Sequence, residues 1–217
     1  MLFRSIVHGV FTVLLLFFAY LLVAHRAWYL QLLADDQPIE WITAVTLFVT
    51  ALLALTVTYR PIRRRFFYAA FAAVMVVAAV EEIDWGQHFV SASESTATLS
   101  APADEHWVSG TPLLSLVKTR PVVTVVLFLY GILLPFLYRN RKLKKYRQVL
   151  RLVKFPPAFL YPWFLVATLC MLNLPTGREA ELGQLFFALS LLVFMLIRVW
   201  HQARKTVAEQ ALLSERA

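Results

Sequence analysis

Long apolar segments separated by polar links dominate this chain. Six of them approach the roughly 20 residues that a helix needs to cross about 30 Å of hydrocarbon, and they lie near residues 6–24, 39–59, 66–90, 121–138, 156–174 and 181–200. Hydrophobic residues make up 60% of the sequence and charged residues only 16%, which is outside the usual range of soluble domains. The sequence therefore predicts an all-α integral membrane protein, a six-helix transmembrane bundle forming a single domain over residues 1–217.

Basic residues predict how this bundle is oriented. They fill the link between the second and third segments and the link between the fourth and fifth: Arg60, Arg63, Arg64 and Arg65, then Arg139, Arg141, Lys142, Lys144, Lys145, Arg147, Arg151 and Lys154. Because basic links stay in the cytoplasm, both links and both termini are predicted to be cytoplasmic. The protein is then a multi-pass protein of the bacterial inner (cytoplasmic) membrane, in contact with membrane lipids. Nucleic acid is not an expected partner, because these clusters abut membrane spans and lack a recognition fold.

Ionisable residues interrupt the end of the third apolar segment, where Glu81, Glu82, Asp84 and His88 occur within ten residues of its end. A carboxylate at membrane depth costs roughly 2.5–3.5 kcal/mol on insertion scales. These groups must therefore be paired, protonated, bound to a metal or placed in a water-filled cavity. Since most other acidic residues fall on the same predicted outer side, we expect one outward-facing polar cavity.

Helical spacing suggests two uses for this cluster. Positions 81, 84, 85 and 88 share one helix face, so Glu81, Asp84 and His88 are candidate ligands of a divalent metal or members of an acid/base group. No two histidines lie at ligand spacing within a helix, so a metal would need further ligands from distant parts of the chain. A purely structural polar network is the alternative.

Candidate site residues follow from these positions. Glu81 and Glu82 are candidate catalytic residues, because they offer carboxylates at the predicted cavity. The candidate substrate-binding residues are Trp85, Tyr130, Arg178 and Glu181. Packing or a local ion pair is the competing role for each of these four. Residues 91–120 are predicted to be a loop, either a lid over the cavity or a disordered external segment.

Glycine and proline mark the fourth segment. Gly131 and Pro135 predict a close helix contact and a kink, which transmembrane helices tolerate when neighbours satisfy the freed backbone groups.

The run Glu81-Glu82-Ile83-Asp84-Trp85-Gly86-Gln87 resembles the Glu-Glu-Ile-Ser-Trp-Gly-Gln-Arg signature of a poorly characterised family of small bacterial multi-pass membrane proteins. The Tyr130-Gly131 to Pro135 stretch and the acidic start of the last segment are similar to that family too. This chain has Asp84 in place of Ser and His88 in place of Arg. The resemblance therefore favours Glu81, Glu82, Trp85 and Gln87 as the shared constellation over an Asp84–His88 chelate. It implies that Gln87 joins Glu81 and Glu82 as a candidate catalytic residue, and it implies no established activity.

A Glu-Glu pair also resembles the intramembrane proteases of the prenyl-endopeptidase type. Those enzymes have an Arg beyond the pair where this chain has Gly86, and they have histidines on later helices. Here the last three segments contain no His before His201. The catalytic set of that family is therefore missing.

Three functional classes remain. An enzyme acting on a lipid or lipid-linked substrate at the outer leaflet would use a carboxylate as general base, with or without a divalent metal as cofactor. An ion-coupled small transporter would use the carboxylates as protonatable sites, although no inverted repeat is evident. An accessory subunit, working with a partner membrane subunit or as a homo-oligomer, would use the cluster only to fix helix packing. The enzyme is the leading hypothesis.

Overall fold

A computed structural model describes residues 2–34, 38–57, 62–82, 128–139, 154–172 and 178–214. These parts of the chain are almost entirely helical and contain no strand. The helices are α1 (Leu2–Ala24), α2 (Arg26–Leu32), α3 (Pro38–Val57), α4 (Ile62–Glu82), α5 (Leu134–Arg139), α6 (Tyr161–Cys170) and α7 (Glu179–Ser214). A π-helical turn, Leu129–Leu133, leads into α5, and a 3₁₀ turn, Ala158–Leu160, leads into α6.

The centre of the fold is built on α7, which packs against α3 and α6, while α3 also packs against α4. Ala51 and Ala54 on α3 are completely buried, as are Phe186 and Phe194 on α7. Small residues on one helix let the large side chains of its neighbour approach closely, which is the usual means of packing helices in a membrane. The core therefore runs along the length of α7.

Helix α1 is held to this core mainly through aromatic contacts. Phe11 lies 4.9 Å from the Trp163 ring and 5.9 Å from the Phe186 ring, centroid to centroid. Most of the other large apolar side chains of α1 are exposed, for example Val13 at 67% and Leu16 at 62%. Such exposure is expected of a helix whose outer face contacts lipid.

Polar side chains within the apolar helices bond to their own backbone. Thr43, Thr50 and Ser190 are buried, and each hydroxyl donates to the carbonyl oxygen four residues earlier at 2.7–2.9 Å. In hydrocarbon no water can satisfy a hydroxyl, so this local bond removes the desolvation penalty. Within the described residues, every buried side-chain nitrogen or oxygen atom has a hydrogen-bond partner.

Gly131 makes the close helix contact that its sequence position predicts. A methyl group at this residue would lie 2.5 Å from Cδ1 of Phe164 on α6. The residue lies in the π-helical turn, four residues before the buried Pro135. Proline has no N–H for the carbonyl four residues earlier and its ring crowds that carbonyl, so the wider π turn relieves the conflict.

The fold confirms the all-helical class over the described residues and revises several helix boundaries. Three described helices are long and apolar enough to cross a membrane, namely Leu2–Ala24, Pro38–Val57 and Glu179–Arg204. They match the predicted segments 6–24, 39–59 and 181–200. The segments 66–90 and 121–138 are helical over their described parts. The fifth predicted segment, 156–174, begins its helix later than expected, because Pro156 and Pro157 precede the 3₁₀ turn outside any helix and Pro157 is extended.

Two helical features were not predicted. The last helix continues to Ser214, well past the predicted end at residue 200. The added segment, residues 201–214, is rich in Ala, Gln, Leu and basic residues and has no Gly or Pro, so nothing in it stops a helix. The short helix α2 follows α1 after the break at His25. It carries the buried side chain of Tyr29.

Candidate functional site

An amide on α7 joins the acidic residues of two helices. With the NH₂ group of Gln184 facing both carboxylates, its nitrogen donates to Glu82 Oε1 at 2.5 Å and to Glu181 Oε2 at 2.9 Å. Glu82 is the last residue of α4, and Glu181 lies in the first turn of α7. We call this group the Glu–Gln–Glu bridge. The end of the bundle where it lies is called the acidic end.

The bridge fixes the separation of its two carboxylates. Because both oxygens accept from one nitrogen whose two N–H bonds diverge, they are on the order of 5 Å apart. Two carboxylates at this distance repel one another when both are ionised, and the amide dipole between them reduces that repulsion. A proton or a cation close to either carboxylate would be favoured for the same reason.

A second buried pair lies beside the bridge. Tyr29 of α2 is 2% exposed and Glu179 at the start of α7 is 4% exposed. The Tyr29 hydroxyl donates a hydrogen bond to the Glu179 carboxylate, and Cys170 at the end of α6 is close enough to act on both electrostatically. Burial, followed by the charge of Glu179, raises the pKa of Tyr29 well above its ordinary value of 10.0. The hydroxyl is therefore neutral and a hydrogen-bond donor at physiological pH.

Helix packing explains why these groups meet. Gly183 faces α6 so closely that a methyl group there would lie 2.7 Å from the carbonyl oxygen of Ala167 and 2.8 Å from Cγ of Met171. Only glycine permits this approach of α7 to α6. Gln184 is the next residue, so the same contact sets the position of the bridging amide.

The chemistry available at the acidic end is that of carboxylates and a phenol. A carboxylate can accept a proton as a general base, and a neutral phenol can donate one. Among the residues that the structure describes, no three His, Cys, Asp or Glu side chains are grouped as they would be around a metal ion.

Several predicted site residues lie outside the described part of the chain. These are Asp84, Trp85, Gln87 and His88, together with the side chain of Glu81. The hypothesis of a divalent metal on Glu81, Asp84 and His88 therefore stays a prediction, as does the lid at residues 91–120. Of the predicted catalytic residues, the structure places the side chain of Glu82 beside the start of α7.

The predicted substrate-binding residues are not all together. Glu181 belongs to the bridge, and Arg178 is exposed just before α7, where its carbonyl accepts a hydrogen bond from the backbone N–H of Glu181 at 3.4 Å.

Tyr130 lies elsewhere in the fold. Its hydroxyl donates to the carbonyl of Lys154 at 2.8 Å. The Tyr130 ring also lies 6.4 Å from that of Phe155, whose carbonyl accepts from Arg198. Glu181 and Arg198 are 17 residues apart on one helix, or roughly 25 Å at 1.5 Å per residue, so Tyr130 does not share a site with Glu181.

Sequence reasoning did not single out Gln184 or Tyr29. The spacing of Glu181 and Gln184 was a usable signal, since residues three apart lie on one helix face. No comparable signal marked Tyr29, because its partner Glu179 is distant in sequence and α2 is too short to show a periodic pattern.

Comparison with protein-family models, curated proteins and solved structures finds no match to this chain.

Proposed function

We propose that this protein is a polytopic inner-membrane enzyme that acts on a lipid or lipid-linked substrate at an outward-facing acidic site. The observation that carries the proposal is the Glu–Gln–Glu bridge, which holds carboxylates from α4 and α7 on one amide nitrogen. A carboxylate held by a hydrogen-bonded neighbour is oriented for proton transfer, which a general base requires.

The two glutamates share one proposed task. One of them, Glu82 or Glu181, accepts a proton from a substrate hydroxyl or from water and becomes a neutral carboxyl, which leaves the deprotonated oxygen as the nucleophile. The other carboxylate stays ionised, and its negative charge raises the proton affinity of the first. Gln184 positions both through its NH₂ group. Glu179 and Tyr29 form a buried hydrogen-bonded pair that supports the start of α7, from which Glu181 projects.

A six-span topology with both termini in the cytoplasm belongs to the same proposal. Basic residues concentrate near Arg198 and in the links predicted to be cytoplasmic, while the bridge lies roughly 25 Å away along α7. That separation is close to the thickness of the hydrocarbon core. The bridge then faces the outer leaflet, where lipid headgroups and lipid-linked substrates are available.

Cysteine labelling tests the orientation. In a Cys170→Ala background, which removes the single native cysteine, a membrane-impermeant maleimide added to intact spheroplasts should label Gln31→Cys on α2. It should label Ala208→Cys on α7 only after the membrane is permeabilised. Both positions are exposed in the fold. The reverse pattern would overturn the topology.

Charge-removing variants test the chemistry. Glu82→Gln and Glu181→Gln keep the side-chain shape but remove the basic carboxylate. We expect each to abolish complementation of a deletion strain and to leave its accumulated lipid or lipid-linked intermediate unprocessed, while the purified protein still folds. Glu40→Gln is the matched control, because it removes a carboxylate from the first turn of α3 that is not one of the two bonded by Gln184.

An accessory role is the second candidate, and the completeness of the polar network favours it. Gln184 contacts both carboxylates and Tyr29 bonds Glu179, as expected of groups that fix helix packing. Full complementation by the Glu82→Gln/Glu181→Gln double variant would rule out a basic carboxylate and leave the accessory role. Loss of complementation with an unchanged melting temperature would support the enzyme.

A further inference from the structure

The end of the bundle opposite the bridge, which we call the basic end, holds a short non-helical segment through its backbone. Residues 154–157 form this segment, and Pro157, its last residue, is extended just before the 3₁₀ turn that leads into α6. Tyr130 donates to the carbonyl of Lys154 at 2.8 Å, and Nη2 of Arg198 donates to the carbonyl of Phe155 at 3.2 Å. The Arg198 guanidinium also lies 5.2 Å from the centre of the Phe194 ring. Arg198 is therefore half-buried and fixed in place.

Helix α1 brings a second arginine to the 3₁₀ turn that follows this segment. Trp163 donates from Nε1 to His8 Nδ1 at 3.1 Å, which joins α1 to α6. Arg4 lies one turn before His8, and residues four apart share a helix face. Its guanidinium lies 5.6 Å from the centre of the Phe159 ring. Phe155 and Phe159 are four residues apart, so the chain between them spans at most about 13 Å.

Neither guanidinium is balanced by a carboxylate at this end of the described structure. Arg4 and Arg198 each lie against an aromatic ring, and Arg198 also donates to a carbonyl. Rings and carbonyls carry no net negative charge, so these contacts do not neutralise either guanidinium. On α7 the nearest acidic residue on this side is Glu209, eleven residues beyond Arg198, or roughly 16 Å along the helix. An uncompensated, half-buried guanidinium beside apolar surface favours an anion that brings its own apolar part.

We propose that Arg198, which bonds the Phe155 carbonyl, and Arg4, which lies beside the Phe159 ring, bind the phosphate of an anionic phospholipid from the cytoplasmic leaflet. The guanidinium N–H groups receive the phosphate oxygens, since arginine matches phosphate geometry with paired donors. The exposed apolar face of α1 accommodates the acyl chains. This site is separate from the Glu–Gln–Glu bridge and would hold a bound lipid, not a substrate.

Lipid titration of the purified protein, followed by native mass spectrometry, tests the proposal. The probes are dioleoyl phosphatidylglycerol, dioleoyl phosphatidylcholine and inorganic phosphate. We expect phosphatidylglycerol to bind the wild type more tightly than phosphatidylcholine. Arg198→Gln and Arg4→Gln should each weaken phosphatidylglycerol binding about fivefold, the effect of one basic residue near an anionic surface. Arg4→Gln keeps the test decisive if Arg198→Gln does not fold, because Arg4 is exposed.

Arg204→Gln is the matched control. This variant removes one positive charge from α7, as Arg198→Gln does. The Arg204 guanidinium, however, lies 4.0 Å from the centre of the Trp200 ring and is not one of the two proposed to bind the phosphate. We expect it to bind phosphatidylglycerol as the wild type does. An equal loss in Arg204→Gln would show attraction to general surface charge and overturn the site. Equal binding of phosphatidylcholine, or displacement of the lipid by millimolar inorganic phosphate, would also overturn it.

Discussion

The Tyr29 hydroxyl donates to the carboxylate of Glu179, and both residues are almost completely buried where α2 meets the start of α7. The pair joins residues 150 positions apart in sequence. It also places a neutral donor against a carboxylate that has little access to water. The pair and the Glu–Gln–Glu bridge together hold the acidic start of α7 to α2 and α4.

Tyr29→Phe should destabilise the protein measurably. The substitution leaves the buried Glu179 carboxylate with one donor fewer, which costs about 1–3 kcal/mol. For a chain of this size, each kcal/mol lowers the melting temperature by about 2–4 °C. Thermal melts in detergent measure the change. Tyr20→Phe is the control, because Tyr20 is 59% exposed on α1. A melting temperature unchanged by Tyr29→Phe would show that the hydrogen bond contributes nothing to stability.

Stability should fall at alkaline pH through Tyr29. Burial, followed by the charge of Glu179, raises its pKa above the value of 10.0 that the unfolded chain retains. Below pH 10 both states hold the proton, and above it the unfolded state loses the proton first. The stabilisation is therefore complete below pH 10 and lost as the pH rises further. Melts from about pH 8 to about pH 11 should show a steeper decline for the wild type than for Tyr29→Phe. Parallel curves would contradict this.

Gly183→Ala should disturb both packing and the site. Its methyl group would lie 2.7 Å from the carbonyl oxygen of Ala167 and 3.0 Å from the backbone nitrogen of Met171, so backbone has to move. Overpacking of this kind costs about 1–3 kcal/mol, and the shift moves Gln184. We expect a lower melting temperature together with weakened complementation.

Gly9→Ala is the matched control for this prediction. A methyl group at Gly9 meets no atom within 4 Å, and alanine is favoured over glycine in a helix by about 1 kcal/mol. Gly9→Ala should therefore be neutral or stabilising. If Gly183→Ala behaves in the same way, the close approach of α7 to α6 is not needed for stability.

Sequence patterns were informative where one physical term dominates. The apolar runs of α1, α3 and α7 are long enough to cross hydrocarbon, so these three helices could be predicted from length and hydrophobicity alone. Gly131 was identified as a contact because glycine in an apolar helix has few other uses. The end of α7 was misplaced because the pattern detects where hydrophobicity ends, while the helix continues through polar residues that favour it.

The acidic end was only partly predictable. Membrane depth marks Glu82 and Glu181 as unusual, since a buried carboxylate needs a partner. The identity of that partner depends on how α4 and α7 meet in the folded protein, which the hydrophobic pattern of either helix does not specify. The role of Tyr29 could not be predicted at all, because an aromatic residue in a short helix is compatible with packing, an interface or a hydrogen bond.

Gln184→Leu should expose the coupling between the two carboxylates of the bridge. It removes the donor that Glu82 and Glu181 share, which costs about 1–3 kcal/mol and leaves like charges on the order of 5 Å apart. Adding Glu82→Gln should recover part of this loss, because the new amide can donate to Glu181 and one charge is gone. A double-mutant cycle measured by thermal melts should therefore give a coupling of about 0.5–3 kcal/mol.

Gln210→Leu is the control for this cycle. Gln210 is exposed on the same helix, so Gln210→Leu should show no coupling to Glu82→Gln. Strictly additive effects for Gln184 and Glu82 would mean that the amide does not join the two helices.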